Sequence, residues 1–122
     1  MKLFVVSGFT RINLDHIVEI NDFPDGEMTV VGMANGNDYS IRGREKRIEF
    51  WTLLHQDDSG TWIEFSEGNY CDLKDMVSFK ETDMQIMLVS SIGEKEAILK
   101  TTDNLPGLRK IKDYIERNRC DL

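Results

Sequence analysis

Residues 3–20 read LFVVSGFTRINLDHIVEI and residues 62–79 read WIEFSEGNYCDLKDMVSF; the second stretch maps onto the first at a constant offset of 59 with no gap. Leu3, Phe4 and Val6 meet Trp62, Ile63 and Phe65, and Ile12, Leu14, Ile17, Val18 and Ile20 meet Cys71, Leu73, Met76, Val77 and Phe79. Few residues are identical, but an apolar register held over eighteen positions marks a duplicated unit. Further along, Met28 and Val30 align with Met84 and Ile86 at offset 56, which implies a loop three residues shorter in the second half. The expected organisation is a single domain of two pseudo-repeats, residues 1–57 and 60–122.

Each unit reads as short strands followed by a helix. In the first, KLFVV, TRINL, HIVEI and EMTVVGMA are β-rich runs and NDFPDG is a loop. Asn35-Gly36 favours the positive φ angles of a type I′ turn, so MTVVGM is expected to pair antiparallel with DYSIR. EKRIEFWTLLH, residues 45–55, places Ile48, Trp51 and Leu54 on one helical face. Ile48, Phe50, Thr52 and Leu54 would also alternate on a strand, and helix is the preferred reading. DDSG at 57–60 is a turn, after which TWIEFS, YCDL, DMVSFKE, MQIMLVSS and KEAILKT repeat the strand pattern. The closing helix has Asn104 as N-cap, Pro106 in its first turn and Leu108, Ile111, Tyr114 and Ile115 as its stripe.

The class is therefore α+β and β-rich: two pseudo-repeated antiparallel β-hairpin units, each followed by a helix. They are expected to share one core, because about sixty residues bury too little surface to be comfortable alone. Ile12, Leu14, Ile17, Ile20, Val30, Leu73, Val77, Ile86 and Leu88 are its expected members, with Trp62 and Phe65 at the junction of the halves.

With 40% hydrophobic and 30% charged residues in 122, the composition is globular. The longest apolar runs fall far short of a membrane span, and MKLFVVSGFTRINL does not read as a signal peptide, so a cytoplasmic protein with no membrane partner is expected. Cys71 and Cys120 match no paired metal or redox spacing and are expected to be reduced thiols. Fifteen basic against 22 acidic side chains leave a net charge of -7, which argues against nucleic acid. The exception is RGREKR, residues 42–47, with a local charge of +3.

Catalytic patterns fail one by one. His16 and His55 have no metal-ligand spacing, and the cluster His55, Asp57 and Asp58 is first of all turn chemistry. There is no G-x-S-x-G and no phosphate loop. Cys71 takes the core position of Ile12, and Glu64, Glu67, Glu94 and Glu96 read as solvent-facing. No catalytic residue, metal site, cofactor or enzymatic activity is expected. The candidate binding residues are Arg42, Arg44, Arg47 and Trp51: three guanidinium groups near a helix N-terminus could hold a phosphate while the indole stacks on a base.

INLDHIVEI, a Gly-containing loop, MTVVGMANGNDYSI and a short amphipathic helix resemble the FlbD-type small proteins of flagellar and swarming motility and similar small phage proteins. The resemblance covers residues 3–54 and, more faintly, 62–115, and implies a small β-rich accessory protein without catalytic residues. FTRINLDHIVEI also resembles part of a LytTR DNA-binding domain, where an arginine-bearing strand precedes an N-L-D-x-I run. The acidic balance argues against that role, since only Arg11, Arg42, Arg44, Lys46 and Arg47 could face DNA.

The leading expectation is thus a non-enzymatic protein-binding or assembly module, a regulatory or phage-type accessory protein whose sheet edges and methionines bind a partner or a second copy. The alternative is a small-ligand or nucleotide-sequestering protein that uses Arg42–Arg47. A nucleic-acid-binding regulator comes third.

Overall fold

The computed structural model describes residues 2–56 and 61–120. The expected DDSG turn, with Asp57 and Asp58, lies outside the described residues. In the first half, strands β1 (Leu3–Ser7) and β2 (Thr10–Asn13) form a hairpin, a 3-10 turn follows at Leu14–His16, and β3 (Ile17–Phe23), β4 (Met28–Met33), β5 (Asp38–Arg42) and helix α1 (Arg44–Gln56) complete the unit. The second half repeats that order as β6 (Trp62–Ser66), β7 (Asn69–Asp72), a 3-10 turn at Leu73–Asp75, β8 (Met76–Glu81), β9 (Gln85–Ser90), β10 (Lys95–Leu99) and α2 (Leu105–Arg117). The result is α+β, all pairings antiparallel, and no described helix is long and apolar enough to cross a membrane.

The repeat is visible in the smallest details. Asn13 and Asp72, at offset 59, each cap a 3-10 turn by accepting the backbone N–H two residues on, at 3.0 and 3.2 Å. The strands form a two-stranded sheet β1-β2, a three-stranded sheet β10-β9-β8 and a central sheet β5-β4-β3-β7-β6. The central sheet joins the halves: β7 pairs on β3 with Ile20 opposite Tyr70. Because neighbouring side chains alternate across a strand, Trp62 and Tyr70 face a first cluster built on Phe4, Ile20, Val31, Ile41 and Phe50. Ile63 and Cys71 face a second, built on Leu73, Ile86, Leu88, Ile98 and Ile111. The apolar interior is thus two clusters on opposite faces of the β6–β7 hairpin.

Four local expectations are corrected. The β4–β5 hairpin forms, but Gly36 alone carries positive φ (87°) and its N–H bonds to the Met33 carbonyl at 2.9 Å, while Met33 N–H meets the Asn37 carbonyl at 2.8 Å. That is a three-residue loop closed by a left-handed glycine rather than a type I′ turn, and Ser90, Gly93 and Glu94 build the same turn in the second half. Second, Ile20 pairs with Val31 and Phe79 with Leu88, so the later strands repeat at offset 57. A one-residue slip exchanges the two faces of a strand; Val31 is fully buried and Val30 is not. Third, α1 buries Phe50 and Leu54, leaving Ile48 56% exposed. Fourth, in α2, Asn104 stands at the N-cap, but its side-chain N–H donates to the Leu99 carbonyl at 2.9 Å instead of capping.

Candidate nucleic-acid interface

A concavity of about 470 Å³ opens where the end of β2, the first 3-10 turn and the β4–β5 turn meet. β2 contributes Arg11 and Asn13, the 3-10 turn His16, the hairpin turn Asn35, and β5 Tyr39. Two backbone features hold these loops in register. Ala34 N–H donates to the His16 carbonyl at 2.9 Å, and within the hairpin turn Asn35 Oδ1 accepts the Asn37 N–H at 3.0 Å. Arg11, His16 and Asn35 are exposed, so the site presents a guanidinium fork, an imidazole and a carboxamide from two linked turns. Arg11 is the only formally charged residue lining it. The equivalent corner of the second half carries Asp72 and Asp75 instead.

The residues singled out from the sequence divide. Arg47 clamps Asp22 with Nη2 at 2.8 and 3.0 Å from the two carboxylate oxygens, and Nε reaches Thr29 Oγ1 at 3.2 Å. Thr29 in turn donates to Asp22 at 2.7 Å. This half-buried triad ties α1 to β3 and β4. Trp51 lies among Phe50, His55 and Tyr70, with the Tyr70 ring 5.2 Å away, and so belongs to the packing between the halves. Lys46 donates to the Val5 carbonyl at 2.7 Å over the Phe4 ring. Arg42 and Arg44 remain exposed. The structure therefore brings Arg47 and Trp51 into structural contacts and leaves two of the four residues facing solvent.

One cluster escaped the sequence reading. Carboxylate oxygens of Glu19, Glu94 and Glu96 lie within 4.8 Å of one another, although Glu19 is distant in sequence from the other two and Glu94 and Glu96 read as solvent-facing. Burial, then the hydrogen bond and charge of Glu94, then Glu96 and Asp38, push the Glu19 carboxyl up to about 8. Burial first, and then Glu94, raise Glu96 as well. Among the described residues this is the one group of three His, Cys, Asp or Glu side chains close enough to hold a cation. Its chemistry at neutral pH is the sharing of a proton among crowded carboxylates. Cys71, paired across from Glu19, is buried, and its thiol is pushed well above the ordinary range by burial, then by Glu96, Asp72 and Glu19; it is an inert core thiol.

The sequence matches no protein-family model and no curated protein. Among solved structures, the chain is similar to a LytTr DNA-binding domain from Bacillus cereus. The match has a TM-score of 0.58 at 11% identity and covers 90% of this chain and 93% of that one. The likeness spans both halves, so the whole two-unit architecture is one that a DNA-binding domain uses. It corrects the leading expectation of a protein-binding or assembly module and the placing of nucleic acid last among the partners. That ranking weighed the net charge of the entire chain. The concavity itself is lined by one cation, Arg11, with His16 and the Asn13 and Asn35 amides beside apolar groups, while Asp15 shares the 3-10 turn of His16 and Asp75 interacts with His16 across from it.

Proposed function

We propose that this protein is a nucleic-acid-binding domain that reads duplex DNA with Arg11 on β2 and with His16 and Asn35 on the two linked turns. The observation that carries the proposal is the convergence of these three exposed side chains around one concavity, on a scaffold similar in fold to a LytTr DNA-binding domain. The chemistry suits base edges: an arginine fork matches guanine O6 and N7, and an asparagine carboxamide matches adenine N6 and N7. Arg42 and Arg44, exposed at the end of β5 and the start of α1, are available for phosphates. With a body of net charge -7, affinity comes from few phosphate contacts, so its salt dependence is shallow.

Selection from a randomised duplex pool, followed by fluorescence anisotropy at several salt concentrations, tests the reading. A selected site should bind tighter than the unselected pool, and Arg11→Ala or Asn35→Ala should each weaken it about tenfold while leaving pool binding nearly unchanged. Failure of selection to enrich any sequence, or wild-type affinity for the selected site in both variants, would refute the proposal.

A further inference from the structure

The two halves treat one groove differently. In the first half, the groove between β3 and α1, formed by Ile20, Trp51, Leu54 and His55, is filled by Trp62 and Tyr70 from the β6–β7 hairpin; only about 90 Å³ remains open. In the second half, the counterpart positions on β8 and α2 are Phe79, Lys112, Ile115 and Glu116, and the groove they line is about 920 Å³ and unfilled. The loss of cover shows residue by residue. Val18 is 1% exposed and its counterpart Val77 is 67% exposed; Leu54 is 9% exposed and its counterpart Ile115 is 39% exposed.

The strand beside this groove is also open. β3 carries β7 on one side, with Glu19, Ile20 and Asn21 opposite Cys71, Tyr70 and Asn69. Its counterpart β8 is the edge of its sheet, and β2, the counterpart of β7, is an edge as well. The counterparts of Trp62 and Tyr70 on the first hairpin are Leu3, 56% exposed, and Arg11, also exposed. The chain thus displays both halves of a contact that it makes once internally, at opposite ends of its own sequence.

We infer that the β8 edge and the groove beside it receive the β1–β2 hairpin of a second copy of this chain, in the arrangement by which β6–β7 sits on β3. Transferring the internal register sets Ser78, Phe79 and Lys80 opposite Ile12, Arg11 and Thr10 of the second copy. Leu3 enters the apolar groove as Trp62 does. Glu81 and Glu116 at the groove are already paired with Lys100 and Arg119, at 3.4 and 3.8 Å, so the contact rests on the apolar fit and the open strand edge rather than on charge. The pairing ends at Thr10. In the internal seam, Asp22 N–H bonds to the Gly68 carbonyl at 2.6 Å, and a Cβ on Gly68 would stand 2.7 Å from the Asp22 carbonyl oxygen; Phe9 occupies that position in the first hairpin. Because the two surfaces differ, the contact is head-to-tail and leaves a free surface at each end.

Sedimentation velocity over a micromolar-to-millimolar series, without nucleic acid, tests this. The wild-type average mass should climb from 14.1 kDa past twice that value without a plateau at the dimer. Leu3→Asp blocks the hairpin and Val77→Asp blocks the groove, both at exposed positions, so each variant alone should remain monomeric. Their equimolar mixture should form a complex of two chains and stop, since each supplies the surface that the other lacks. If Val77→Asp disturbs folding by circular dichroism, Ile115→Lys blocks the same groove from α2. A wild-type chain monomeric throughout, association retained in both variants, or a mixture that stays monomeric would overturn the inference.

Discussion

Glu19→Gln should stabilise the protein at pH 8 and have almost no effect at pH 5. In the folded chain the Glu19 carboxyl is pushed from 4.5 up to about 8, by burial first and then by Glu94, Glu96 and Asp38; in the unfolded chain it ionises at the ordinary value. Between those values the folded state holds a proton that the unfolded state has released. The stabilisation is therefore complete below the unfolded pKa and fades as the pH climbs to the folded one. An unscreened shift would change stability by about 1.4 kcal/mol per pH unit. Glu94 is open to water, however, and screening reduces the whole effect to roughly 2 kcal/mol. Glutamine keeps the shape, has nothing to ionise and can donate a hydrogen bond to Glu94. Urea midpoints at pH 5, 6, 7 and 8 for both proteins give the difference directly, and it should widen with pH to about 2 kcal/mol in favour of the variant. A difference that stays constant across the range, or one that favours the wild type at pH 8, would refute the proton-sharing cluster.

Arg47→Ala strands the half-buried Asp22 carboxylate and should cost about 3 kcal/mol in urea denaturation, while duplex affinity per folded molecule stays unchanged; a loss of affinity without a loss of stability would place Arg47 in the interface instead. Gly68→Ala puts a Cβ 2.7 Å from the Asp22 carbonyl oxygen at a φ of +77° and should lower stability by roughly 2 kcal/mol, with hydrogen exchange accelerated first along β3 and β7. Arg11 belongs both to the base-reading concavity and to the hairpin that seats in a second copy, so saturating duplex should lower the average number of protein chains associated with one another; in sedimentation, an unchanged protein stoichiometry would separate the two roles.

The parts of the fold legible in the sequence are those governed by short-range pattern. Apolar alternation located all the strands, and the spacing of Leu108, Ile111 and Tyr114 located α2. Asn35-Gly36 marked a hairpin, but the positive φ falls only on Gly36: a dipeptide reports that the chain reverses more reliably than it reports the turn type. Offset 56 aligns Met28 with Met84 and Val30 with Ile86, whereas offset 57 sets Val31 against Leu88. The hydrogen-bonded ladder decides between them, because only one register puts Val31 and Leu88 inside. Val77 was expected in the core but is 67% exposed, because β8 is the edge of its sheet whereas β3 carries β7.

The candidate site was less legible, for a physical reason. Like charges adjacent in sequence, as in RGREKR, suggest a patch, but helical geometry sends Arg47 inward to Asp22 while Arg42 and Arg44 stay outside. Arg11, His16 and Asn35 are spread over 25 positions, each unremarkable alone. They become neighbours only through the bond from Ala34 to the His16 carbonyl, which stitches two turns together. The signal that was available was FTRINLDHIVEI, whose likeness to a LytTR strand-and-turn run contains two of the three.

Duplication explains why one set of turns could change chemistry while the other kept a structural task. Both units need a capped 3-10 turn, a glycine-closed hairpin and a helix over the sheet, and both retain them. The caps diverge in what they carry: Asn13 is neutral and stands beside Arg11, Asp15 and His16, whereas Asp72 is fully buried, bonded to Thr61 and paired with Lys74 at 3.3 Å. Under the proposed function, a phosphate or base edge would meet Arg11 at the first corner, whereas the second corner offers Asp72 and Asp75, the latter close enough to His16 to interact with it. If the domain binds DNA as proposed, its net charge of -7 limits nonspecific binding, and the difference between its two corners favours the one carrying Arg11.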